Sequence, residues 1–163
     1  KSCGGRIFLT SDRASHISTP GWPYLPFSSL PKGQECFWLI TAPAGAIVQM
    51  WIEGSSPALH AVKFLVTSSY LFDIARSRSF CIDYLEVKNS SDFANTGMRF
   101  CGDIPPAGPI YSETNEMVVI FRAHRYNSRG FRANLYAVKP EDKKKNEELL
   151  VHDFFTHWST YDY

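Results

Sequence analysis

CIDYLEV (Cys81 to Val87), RFCG (Arg99 to Gly102) and ETNEMVVIFRA (Glu113 to Ala123) follow one another closely and decide the fold. The first and third carry β-branched and aromatic residues, and the second a phenylalanine. Asn89-Ser90-Ser91 and other turn formers separate them, which is the pattern of short strands joined by turns. Working outward, CFWLITAP (Cys36 to Pro43) places Phe37, Leu39 and Thr41 on one side and Trp38, Ile40 and Ala42 on the other. Both sides are apolar, so this strand is interior to a sheet. Pro43-Ala44-Gly45 turns the chain into a strand from Ala46 to Glu53. A first strand is predicted from Ile7 to Leu9 and a last one from Gly130 to Val138, where Phe131, Ala133, Leu135 and Ala137 alternate with polar residues. The four prolines within residues 18–35 exclude a helix and an interior strand there. The reading is all-β, an antiparallel sandwich.

Two segments stand apart. Residues 57–80 form a long apolar connection, unusual in a compact domain. A strand over Val62 to Thr67 or a helix over Tyr70 to Arg76 would account for it. Residues 140–163 follow the last strand as a tail, charged at first and aromatic at its end. It reads either as a short helix over Asp142 to Phe155 or as disordered. Residues 1–139 are then one domain.

Composition narrows the function. The chain has 163 residues, 44% of them hydrophobic and 15% aromatic, enough for a real core. Its net charge of +1 makes no electrostatic case for nucleic acid. No run of 18 apolar residues offers a membrane span. The chain begins with Lys1 and shows no leader, which reads as a mature protein or a piece of a longer one. Four cysteines, Cys3, Cys36, Cys81 and Cys101, form an even set with hairpin-like spacing. That predicts disulfides and an oxidising, extracellular compartment, with three connectivities open.

Chemistry is sparse. No two of His16, His60, His124, His152 and His157 have the spacing of four that puts two imidazoles on one helix face for zinc. There is no GxSxG elbow. Asp83 and Glu86, three apart on a strand, point to opposite faces and do not form an acid–base pair. No catalytic constellation is present. Asn89-Ser90-Ser91 is a glycosylation sequon at a strand end. Arg125, Tyr126 and Arg129 lie on one predicted loop and are residue types favoured at binding hot spots, suited to an acidic protein partner. Trp22, Tyr24 and Phe27 in the proline-rich loop read as residues tucked over the sandwich.

In order along the chain, CGG (Cys3 to Gly5), TPGWP (Thr19 to Pro23), CFWLI (Cys36 to Ile40), APAG (Ala42 to Gly45), CIDYLEV, FCG, ETNEMVVIF and RGFRANLYAV (Arg129 to Val138) resemble the landmarks of a CUB domain. The closest flavour is the CUB domain of secreted astacin-type zinc metalloproteases of invertebrates. The resemblance implies a two-sheet, antiparallel, jelly-roll-like sandwich with the pairs Cys3–Cys36 and Cys81–Cys101. It implies a non-catalytic extracellular protein-interaction module. The alternative is an exosite or regulatory piece of a zinc metalloendopeptidase, with the zinc in a catalytic domain outside this chain. A carbohydrate-binding sandwich is a third reading. Many CUB domains hold Ca²⁺ through one Glu and two Asp. Here Asp83 matches the first Asp, His124 stands at the second, and the Glu position falls near Ala58. One carboxylate of three remains, which argues against Ca²⁺ unless Asp73 substitutes.

Overall fold

The computed structural model describes residues 3–22, 33–54, 71–124 and 128–148. Nine strands form two sheets: β1 (Gly4–Phe8), β2 (Ser15–Ser18), β3 (Gln34–Thr41), β4 (Ile47–Ile52), β5 (Tyr84–Lys88), β6 (Met98–Phe100), β7 (Ile110–Tyr111), β8 (Glu116–Ala123) and β9 (Arg132–Val138). One sheet has the order β1-β3-β8-β5-β6, the other β2-β9-β4-β7. Every pairing is antiparallel except that of β1 with β3, which is parallel. A helix, α1, spans residues 140–148 and begins at Pro140, a residue suited to the first helical position.

Alternation along the strands builds the core. On β8, Met117, Val119, Phe121 and Ala123 point inward and are buried. Beside them on the same sheet face lie the buried Cys36, Trp38 and Ile40 of the neighbouring β3. From the second sheet come Val48, Met50 and Ile52 of β4 and Ala133 and Leu135 of β9. Phe131 joins the sheets. Its ring meets Trp38 edge-on at 5.9 Å and 87° and Phe121 at 5.7 Å and 50°, geometries favourable for the aromatic quadrupole. Gly130, just before it, has φ of +82°, and a Cβ there would run into the Thr19 side chain. Thr19 Oγ1 accepts the Phe131 N–H at 3.2 Å. Only glycine fits this corner.

The solvent side of the larger sheet is not uniformly polar. Val118 is fully buried yet stands outside the core cluster. It lies in register with Leu39 on β3 and Lys88 on β5. The loop from Asn89 to Gly97 folds back here, and Phe93 stacks on Phe37 at 5.9 Å. Lys88 holds that loop, its Nζ donating to the carbonyls of Phe93 (3.1 Å) and Asn95 (2.7 Å). Glu86, also buried, accepts from Arg99 Nε at 2.7 Å and faces Lys88 Nζ at 3.7 Å.

Several expectations need correction. The first strand is Gly4–Phe8, ending before Leu9; it pairs in parallel with β3, next to the Cys3–Cys36 disulfide. The strand expected from Cys81 begins at Tyr84. Residues 71–76 form no helix. They run extended, with bridges Asp73 to Gly130, Ile74 to Gly102 and Arg76 to Cys81. Phe72 and Ile74 are fully buried in the core, so burial of alternate side chains prevails over helical propensity. This end of the long connection is part of the sandwich. The strand considered over Val62 to Thr67 lies outside the described residues, as does the tail beyond residue 148.

Candidate functional site

Asp83, His124, Asp73 and Arg129 gather at one end of the sandwich, beyond the C-terminal end of β8. Asp83, completely buried, accepts the His124 backbone N–H through Oδ1 at 2.9 Å. Its own N–H donates to the Ala75 carbonyl at 3.2 Å. The buried Ser128 hydroxyl accepts from the Ala75 N–H at 3.0 Å. Asp83 therefore ties the start of the β8–β9 loop to the extended segment 71–76. The His124 ring turns outward, its Nε2 3.0 Å from Glu35 Oε1, and Arg122 Nε lies 3.8 Å from the same oxygen.

Arg129 sits against Asp73. Its backbone N–H donates to the Asp73 carbonyl at 3.1 Å. Burial pushes the Asp73 carboxyl above its usual range, and the Arg129 hydrogen bond and charge offset that only in part. Arg125 and Tyr126 lie outside the described residues. Of the three residues assigned to partner binding, the one described is half-buried and bonded within the fold.

Whether this end suits Ca²⁺ can be tested from its donors. A hard cation needs several convergent oxygens. Among the described residues, no group of three or more His, Cys, Asp or Glu side chains could hold an ion. Asp73 gives its backbone to Gly130 and Arg129, and a His124 ring replaces a carboxylate. Ala58 lies outside the described residues. Glu53 is committed elsewhere, accepting from Asn134 Nδ2 at 2.9 Å. Among the described residues, the donors do not fit the ion.

The four cysteines form Cys3–Cys36 and Cys81–Cys101, with Cα separations of 5.0 and 5.6 Å. Asn89 lies at the end of β5, half-buried, its Nδ2 donating to Glu113 Oε1 at 3.0 Å and its carbonyl accepting the Glu113 N–H at 2.7 Å. Trp22 donates from Nε1 to the Leu71 carbonyl at 2.9 Å and lies 5.7 Å from the Arg132 guanidinium. Tyr24 and Phe27 lie outside the described residues.

From sequence, residues 76–80 read only as the end of the long connection. Arg76 bridges to Cys81, and the Ser77 N–H donates to the Phe80 carbonyl at 3.0 Å, closing a tight hairpin. Arg76, Arg78, Ser79 and Phe80 are exposed. The signal was present in Arg76-Ser77-Arg78-Ser79-Phe80 beside a disulfide cysteine. It was masked by the apolar run before it.

A family model for the CUB domain matches residues 56–135. The zinc metalloproteinase dpy-31 of Caenorhabditis elegans is 39% identical over 137 residues, which is 84% of this chain and 20% of that protein. The dpy-31 protein of Haemonchus contortus is 39% identical over 83% of this chain and 21% of its own length. The chain thus spans about a fifth of these relatives. Among solved structures, the MASP-1 CUB2 domain bound to Ca²⁺ superposes with a TM-score of 0.60 at 24% identity, covering 83% of this chain and all of that domain. The extracellular region of zebrafish Gpr126/Adgrg6 gives 0.61 at 23% identity, covering 85% of this chain and 15% of its own. These likenesses concern the fold.

Proposed function

The chain carries a CUB domain, and from that premise we propose that it is a non-catalytic, extracellular protein-interaction module. The observation that carries the reading is the pair of disulfides set in a sandwich whose rim residues are spent on bracing loops. Both disulfides suit an oxidising compartment. Asp83, Ser128 and Arg129 brace the end of the sandwich, leaving recognition to what the loops present. Asn89 carries an N-glycan in this reading. Its amide nitrogen keeps one hydrogen after glycosylation, enough to retain the bond to Glu113.

The likeness to nematode zinc metalloproteinases supports a second reading, in which the module serves as an exosite for a catalytic domain elsewhere in a longer protein. Zinc would belong to that domain. The partner is then a protein substrate.

Two measurements test these readings. The secreted chain, immobilised, is passed over a panel of purified extracellular matrix proteins by surface plasmon resonance. Saturable micromolar binding to at least one is expected, and its absence across the panel refutes the module. For the exosite, removing residues 3–138 from the full-length gene product should raise KM for a protein substrate. Cleavage of a short peptide should be unchanged. Equal loss on both substrates refutes it.

A further inference from the structure

The geometry assigns the hairpin over residues 76–81 as a docking element for an acidic protein segment that carries an apolar side chain. This rests on the reading of the domain as a protein-interaction module and names the surface and the partner's chemistry.

Three observations carry it. First, the hairpin is rigid. Ile74, just before it, exchanges two backbone hydrogen bonds with Gly102, N to O at 2.9 and 2.7 Å. Cys81, at its far leg, is bonded to Cys101. Both legs are thereby tied to adjacent residues, 101 and 102. A loop ordered in advance loses little entropy on binding.

Second, its tip exposes an aromatic ring. Phe80 is 65% exposed, and Ile104, three residues beyond Cys101, is 67% exposed. Burying a phenylalanine fully would gain about 1.5–3 kcal/mol. Here the fold leaves that gain unused on a fixed backbone, beside two arginines. Aromatic residues and arginine are the types that anchor interfaces.

Third, the arginines are uncommitted. Elsewhere on the surface, Arg99 and Lys88 meet Glu86, and Arg122 meets Glu35. Among the described residues, neither Arg76 nor Arg78 has a carboxylate within 4.0 Å. Arg76 lies over Gly102, where a Cβ would meet its Cδ at 3.3 Å, so a glycine there leaves room for it. Residues 76–81 carry two cations and no anion. A sulfated glycan would use the cations alone. Phe80 adds an exposed apolar ring that a protein side chain can cover.

The probe is a fluorescein-labelled 12-residue peptide of alternating Glu and Leu, read by anisotropy against the whole chain in 50 and 300 mM NaCl. Saturable binding, weakened by salt, is expected. Phe80→Ala and the pair Arg76→Glu with Arg78→Glu should each weaken it about tenfold or more. Their melting temperatures should match the parent chain, since all three side chains are exposed. Heparin is the control. Heparin binding that the arginine pair abolishes and Phe80→Ala leaves untouched, with no peptide binding, makes this a glycan site and overturns the proposal. Equal peptide binding by all variants also overturns it. On the matrix-protein panel, the two failures separate. A chain that binds nothing fails as a module, whereas equal binding by the parent and the arginine variant refutes the hairpin alone.

Discussion

Replacing Glu86 by Gln tests how the outer face of the larger sheet is held. Glu86 is buried, with a side chain only 5% exposed, beside Lys88 at 10% and Arg99 at 46%. Burial pushes its carboxyl up. The Arg99 hydrogen bond and charge, the Gly97 N–H and Lys88 more than reverse this, so it ionises below its ordinary value of 4.5. Glutamine keeps the shape and one acceptor but removes the charge. A hydrogen bond to a charged group contributes about 1.5–3 kcal/mol, against about 0.5–1.5 for a neutral one. The half-exposed Arg99 regains hydration when its partner is lost. Lys88 keeps the carbonyls of Phe93 and Asn95, but stays buried without a counter-charge. The net cost is about 2 kcal/mol at pH 7, or about 4–8 °C in melting temperature for a domain of this size. The sign with pH follows. A carboxyl depressed on folding stabilises above its unfolded value, and that stability is lost as pH falls through the folded value. Calorimetric melts from pH 7 down to pH 2 should show the gap between the two proteins closing below 4.5. No gap at pH 7, or a gap of constant size at every pH, refutes the reasoning.

Asn89→Gln, expressed in a secretory host, should remove a glycosidase-sensitive mass shift on gels, and an unshifted parent chain would refute the modification. Gly130→Ala forces a side chain into φ of +82° against Thr19. A loss of more than about 1 kcal/mol in urea unfolding is expected. Serines at both Cys81 and Cys101 open a loop with a sequence separation of 20, for an expected loss of about 3 kcal/mol in the same assay. Millimolar calcium or a chelator should leave the melting temperature unchanged within about 1 °C, since a bound ion at 100 times its Kd would add about 2.7 kcal/mol.

Strands with strong alternation were legible early. β3, β4, β8 and β9 each place apolar residues at every second position, and a two-residue period reports a sheet face directly. β2 and β7, of four and two residues, were not legible. Strands that short hold too few alternations to stand above their neighbours. Ser15–Ser18 becomes a strand only because β9 offers it an edge. At the candidate site, the sequence marked Asp83 as the one remaining calcium-type carboxylate and His124 as the residue standing where a second would be. Their actual relation is a backbone N–H donated to a carboxylate across 41 residues of sequence, which no local pattern encodes.

By itself, the sequence determined the β class and the order of the landmarks around the cysteines, because period, turn chemistry and residue type are local properties. Only the tertiary structure decided that Phe72 and Ile74 enter the core, that Arg129 lies against Asp73, and that Arg76, Arg78 and Phe80 are left facing solvent on a braced turn. Those outcomes depend on which distant backbone supplies each hydrogen bond and which side chains fill the remaining volume. Exposure is what is left after the core has been packed, and it belongs to the whole chain.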